Sequence, residues 1–180
     1  YTCCIERPIL IGRPSPARHA MFAVVKEAMA AMLAAFVPGG PLGAVDTAHR
    51  QVLDAAGYGT HRYTACGYSL GATFRPSWMD VPPMIYAGNP LILEPGMVFF
   101  PHAMLGDSDS GLAFGLGDSV VVTETGFESL SQLPLDWIRR DDVIGGITAS
   151  LEAANEAACH VACTDEAMVI VAFLHCALAG

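Results

Sequence analysis

Five large apolar residues, Phe22, Val25, Met29, Leu33 and Phe36, recur at steps of three and four. That spacing lays them along one side of an α-helix, so the segment has to bury a stripe against a partner element. Ser15-Pro16 supplies a hydroxyl cap followed by proline at the first helical position. Pro38-Gly39-Gly40-Pro41 stops the helix. A second helix is expected over about residues 43–56, with Val45, Ala48, Val52 and Leu53 on its apolar side and Gly57 just past its end.

The remaining runs read mostly as strands. Residues 3–12 are rich in β-branched and apolar types and close at Gly12. Residues 61–65 read as a short strand, and Gly67-Tyr68-Ser69-Leu70-Gly71 as a glycine-bracketed turn. Residues 75–95 hold five of the 12 prolines and are expected to be irregular. Strand-like runs follow at 97–100, 112–116 and 119–123, the last ended by a turn at Thr125-Gly126. Helices beside an antiparallel meander make an α+β domain. Residues 147–179 are Ala- and Cys-rich, contain no Gly or Pro, and read as one or two apolar helices.

Composition narrows the function classes. The chain is 53% hydrophobic and only 15% charged, which implies that another domain or subunit normally covers part of its surface. A net charge of −9 with nine scattered Lys and Arg excludes a nucleic-acid footprint. The apolar run at 167–174 is broken by His175 and is too short to span a bilayer. The six cysteines do not space as a disulfide framework, so reduced thiols in a cytoplasmic protein are expected. No starting Met or signal-like segment is seen, and the expectation is a chain that begins inside a longer protein.

Four stretches, in order, resemble the pita-bread hydrolases, the family of methionine aminopeptidase, aminopeptidase P, prolidase, creatinase and ectoine hydrolase. Cys4-Ile-Glu-Arg-Pro-Ile-Leu-Ile-Gly12 is similar to the family's D-x-T-R-T-x-x-x-G strand, and the Ser15-Pro16 helix matches the element after it. Gly67-Tyr-Ser-Leu-Gly71 stands where the family has G-H-G-I-G, and Glu94-Pro-Gly-Met-Val-Phe-Phe100 resembles L-x-P-G-M-V-F. Gly117-Asp-Ser-Val-Val-Val-Thr-Glu-Thr-Gly126, with Glu128 and Leu130, resembles E-D-T-V-L-V-T-E-x-G-x-E-x-L. Tyr68-Ser69 and Pro76-Ser-Trp-Met-Asp80 look most like the creatinase and ectoine-hydrolase members.

The resemblance implies an incomplete pita-bread domain over residues 1–140, the end of its first half plus its second half, with an antiparallel curved sheet flanked by helices. Residues 141–180 fall outside it, as a helical extension of unknown role. It also maps the family's two-metal ligands onto this chain. The second Asp position holds Cys4, the His position Tyr68, the first Glu position His102, and the second Glu position Gly117 beside a retained Asp118. The family's catalytic His maps onto Arg75.

Two bound divalent ions need hard anionic oxygens, and these positions offer none. Cys4, Tyr68 and His102 could at most form a soft site for one zinc. The expected reading is therefore a metal-independent hydrolase of a C–N bond in a small amino-acid-like substrate, without cofactor and homodimeric as a full-length protein. In it His102 is the general acid/base and Tyr68 a donor to the developing oxyanion. Arg75, Arg7 and Asp118 bind the substrate. The alternatives are an inactive pita-bread domain kept as a binding module, a metal-dependent Xaa-Pro aminopeptidase, and a Cys4–His102 nucleophile pair. Asp107 and Asp109 read as a solvated hairpin turn, and Cys159-His160-x-x-Cys163 as part of an apolar helix.

Overall fold

The computed structural model describes residues 2–72, 84–140, 160–164 and 167–177. Its elements are β1 (Thr2–Gly12), α1 (Pro16–Ala34), α2 (Gly43–Ala55), β2 (Gly67–Ser69), β3 (Val98–Asp107), β4 (Leu112–Gly117), β5 (Val120–Thr123), β6 (Gly126–Ser129), β7 (Ile138–Arg140), β8 (His160–Thr164) and β9 (Ala167–Ala177). One sheet runs in the order β6-β5-β3-β4-β1-β9-β8. β2 adds to β3, and β7 adds parallel to β1.

Both helices form where the apolar spacing puts them. Ser15 caps α1, its side chain accepting from the Arg18 amide at 3.3 Å, and Pro16 opens the first turn. Met21, Phe22, Val25, Met29 and Met32 are buried on one face. That face lies on Phe99, Ala103 and Leu105 of β3 and Phe114 and Leu116 of β4. The Phe22 ring stacks on Trp137 at 4.5 Å and tilts against Phe114 at 5.4 Å. Helix α1, with α2 packed against it, thus seals one face of the β3–β4 pair and leaves the alternate side chains of those strands to face the other way.

Three expectations are corrected. Residues 61–65 do not form a strand; Arg62 makes a single bridge to Leu105. Gly67-Tyr68-Ser69 is a strand and not a turn, because its backbone pairs with Phe99–Pro101. The tail is not helical where it is described, since β8 and β9 form an antiparallel hairpin and β9 pairs with β1 from Thr2 to Gly12. Val169, Ile170 and Val171 are β-branched, and an open edge of β1 satisfies their backbone better than a helix would. The turn near Thr125 ends β5, as its sequence suggests, and leads into a further strand, β6. Residues 73–83, which include Arg75, and 141–159 lie outside the described residues.

Phe22 joins α1 to β4 and to the segment before β7. Phe22→Ala is expected to cost about 3–5 kcal/mol in urea unfolding, from lost burial and the cavity left behind.

Candidate functional site

The face of the sheet turned away from α1 carries a row of three directly opposed residues. Glu6 of β1 pairs with Gly117 of β4, and Gly117 pairs with His102 of β3. Opposed residues project to the same side of a sheet, so Glu6 and His102 flank a position that has no side chain. Sterics keep it so: a Cβ on Gly117 would come 2.6 Å from the Phe100 ring and 2.9 Å from His102 Cβ. Two residues back along β4, a Cβ on Gly115 would overlap the Glu6 carboxyl, which lies across that glycine.

Neighbours on this face are mainly apolar. Tyr68 of β2 pairs with Phe100, two residues before His102, and the three rings sit 5.3–6.1 Å apart between centroids. Cys4, Tyr68, Leu70 and Phe100 form a buried cluster, with Met84 and Val98 at its margin. The Tyr68 hydroxyl donates to Cys4 Sγ at 3.6 Å. Burial pushes the Cys4 thiol up to about 11, so it is protonated near neutral pH. Ser119 fixes the Cys4 backbone, its hydroxyl accepting from the amide at 2.9 Å and donating to the carbonyl at 2.8 Å.

The two polar groups of the row have opposite electrostatics. Both Glu6 carboxyl oxygens and His102 Nδ1 are enclosed without a hydrogen-bond partner among the described residues. Burial raises the Glu6 carboxyl to about 8, against a smaller pull downward from Arg7. Burial, helped by His49, lowers the His102 imidazole to about 4. At neutral pH Glu6 therefore holds a proton and His102 is a neutral acceptor. Such divergence between neighbouring titratable groups is how a site assigns acid and base roles.

Of the residues singled out from the sequence, His102, Tyr68 and Cys4 come together on this face. Arg7 and Asp118 are committed elsewhere. The Arg7 guanidinium donates to the carbonyls of Glu6, Gly117, Leu133 and Pro134 and pairs with Asp118 at 3.3 Å, both side chains being buried. Asp118 also accepts from Ser129 Oγ at 2.7 Å. Their partners belong to the protein itself, so neither is a free fork for substrate. Glu6 was missed in the sequence, although strand alternation from Cys4 places it on the same face. Asp107 accepts from Ser110 and from the Asp109 amide, as in an ordinary hairpin turn.

A carboxyl raised by burial stabilises the fold at low pH and loses that contribution as pH rises through its folded value. Glu6→Gln keeps the shape without the charge. Its stability relative to the unsubstituted protein should rise between about pH 5 and pH 8, reaching on the order of a few kcal/mol, as read by urea unfolding at each pH. A difference that does not change with pH would show an ordinary carboxylate.

Comparison with known proteins agrees with this architecture. Residues 1–124 match the model of metallopeptidase family M24. An uncharacterised hydrolase/peptidase, y4tM, of Sinorhizobium fredii is 29% identical over 141 residues, 78% of this chain and 35% of that protein. The ectoine hydrolase of Halomonas elongata is 29% identical over 135 residues, 74% of this chain and 33% of its own length. The crystal structure of dipeptidase PepE from Mycobacterium ulcerans superposes with a TM-score of 0.68 at 30% identity, covering 75% of this chain and 35% of that one. The chain spans about a third of the length of the curated relatives it matches. With the sheet, the helices and the motif positions in agreement, this chain belongs to metallopeptidase family M24 and carries part of its pita-bread fold.

Proposed function

We propose that the protein is a metal-independent hydrolase of a C–N bond in a small amino-acid-like substrate. The observation that carries the reading is the Glu6–Gly117–His102 row, with two buried polar groups lacking partners among the described residues. A face built only for packing would not hold them, since each unsatisfied group costs about 1–3 kcal/mol.

A pair of hard divalent ions does not fit the side chains at the family's ligand positions. Cys4 is a protonated thiol bonded to a phenol, Gly117 has no donor atom, and His102 is a single imidazole. The proposed chemistry uses the row instead. Neutral His102 takes a proton from the attacking water. The protonated Glu6 carboxyl gives its proton to the departing nitrogen as the C–N bond breaks. The Tyr68 hydroxyl can turn from Cys4 toward the oxygen on which negative charge develops. Arg75 is the proposed partner of a substrate carboxylate. The creatinase-like and ectoine-hydrolase-like character of the motifs suggests cyclic or guanidino-type amino-acid derivatives as the substrate class. A cytoplasmic homodimer remains part of this reading. Among the described residues, no helix is long and apolar enough to cross a membrane.

A second reading has its own support. Cys4, Tyr68, Leu70 and Phe100 close into an apolar cluster at two of the ligand positions. That favours an inactive domain kept for binding.

The purified protein should be assayed with chelator against ectoine, creatine and Xaa-Pro dipeptides. The leading reading expects turnover that chelation leaves intact and that His102→Ala lowers by at least ~10²-fold. Activity lost to chelator and restored by Mn²⁺ would replace it with a metallopeptidase. No turnover by folded protein on any of these would favour the binding module.

A further inference from the structure

A second polar cluster lies outside the candidate site. Asp46 and His49 sit one turn apart on α2, and Cys66 immediately precedes β2. All three are at most 1% exposed. One donor atom from each lies within 4.8 Å of the others. His49 Nδ1 is 3.3 Å from Asp46 Oδ1, about the edge of a tetrahedron built on ~2.0 Å metal bonds.

The three groups are already bonded to one another, with the Asp46 carboxylate accepting from His49 Nδ1 at 3.3 Å and from the Cys66 thiol. Asp46 Oδ2 accepts from Arg50 Nε at 2.6 Å, and Arg50 is held in turn by the Thr64 carbonyl at 2.9 Å. Oδ1 thus stays directed at His49. His49 Nε2 is enclosed and has no hydrogen-bond partner among the described residues. Nε2 points away from Asp46, so the ion would bind at Nδ1, in place of the proton that Nδ1 shares with Asp46.

We propose that Asp46, His49 and Cys66 bind one divalent cation of borderline softness, with zinc the best chemical match. Carboxylate, imidazole and thiolate are zinc's usual donors, and a mixed set of this kind is disfavoured by Mg²⁺ and Ca²⁺, which want oxygen. The Cys66 thiol is protonated before binding, because burial and the Asp46 charge both push it far up. The S–H proton leaves to solvent as the S–metal bond forms, so each ion bound releases one proton and affinity rises with pH. No redox step is involved.

The site would act as a clamp. The Cys66 carbonyl accepts from the His102 amide at 2.9 Å, and its own amide donates to the Ile85 carbonyl at 3.0 Å. An ion at Cys66 therefore ties α2 to the start of β2 and to β3, the strands that carry Tyr68 and His102.

The test uses the whole purified protein, stripped of metal and titrated with Zn²⁺, then with Co²⁺ as a spectroscopic probe. A variant with Cys159 and Cys163 replaced serves as the background, because Cys159-His160-x-x-Cys163 is a second metal-binding sequence. The proposal expects one ion per chain, one proton released per ion, a sulfur-to-cobalt charge-transfer band, and a Tm raised by several degrees on zinc binding. Cys66→Ser should abolish the band, and His49→Ala should weaken zinc affinity at least tenfold. Where a variant does not fold, the background protein decides alone, by the presence of the band and the released proton. Absence of stoichiometric binding, or a band unchanged in folded Cys66→Ser, would overturn the proposal.

Discussion

The Arg7 guanidinium holds together the part of the structure on which the candidate site depends. β1 and β4 share one registered pair, Glu6 with Gly117, so the ladder alone fixes their alignment weakly. Arg7 supplies the rest: it bonds the Gly117 carbonyl, the Asp118 carboxylate and the 131–134 segment from a single buried side chain. A planar five-donor fork can satisfy several acceptors at once, which a lysine in this place could not. Burying the pair is costly, and removing either partner would strand a charge in the interior. Arg7 is therefore a structural residue, although the same chemistry in the sequence suggested a substrate clamp.

Once that alignment is set, the properties of the row follow from packing. Two glycines on β4, Gly115 and Gly117, open a trough across the strand, and the Glu6 side chain from β1 lies in it. The trough also brings Phe100 and His102 close to the β4 backbone. Enclosure then acts on the two titratable groups by the same mechanism and in opposite directions, because desolvation disfavours whichever form is charged. Glu6 keeps its proton and His102 loses its own. In the family's usual arrangement, Gly117 would be a glutamate. Here a carboxyl comes to the same row from the neighbouring strand.

Much of this was legible in the sequence, and the failures have physical causes. Helices α1 and α2 were readable because apolar period, cap and stop signals agree over long segments. The order of strands came with the family motifs. Residues 67–69 were misread because glycine-rich sequence signals a turn, while the open edge of β3 makes it a strand. The tail was misread because Ala and Cys content outweighed a short β-branched core whose pairing partner, β1, lies more than 150 residues away. Motif position pointed to Tyr68 and His102, and the fold brings the two to one face of the sheet. Glu6 carried no motif signal, and its place opposite Gly117 comes from cross-strand register. The Asp46–His49–Cys66 cluster escaped for a related reason: sequence spacing shows two residues of one helix, and only the fold brings Cys66 to them.

The central claim is that this family scaffold carries, in place of a cage for two hard ions, a row that works by proton transfer. Manganese is the direct probe, since it favours the oxygen-rich cage and is a poor match for a thiol-containing site. Titration of the metal-stripped protein with Mn²⁺, followed by the EPR signal of the free ion, reads the cage itself. The account predicts a free-ion signal that grows in proportion to added metal, as in buffer alone. Disappearance of the first two equivalents per chain into a bound, spin-coupled pair would contradict it.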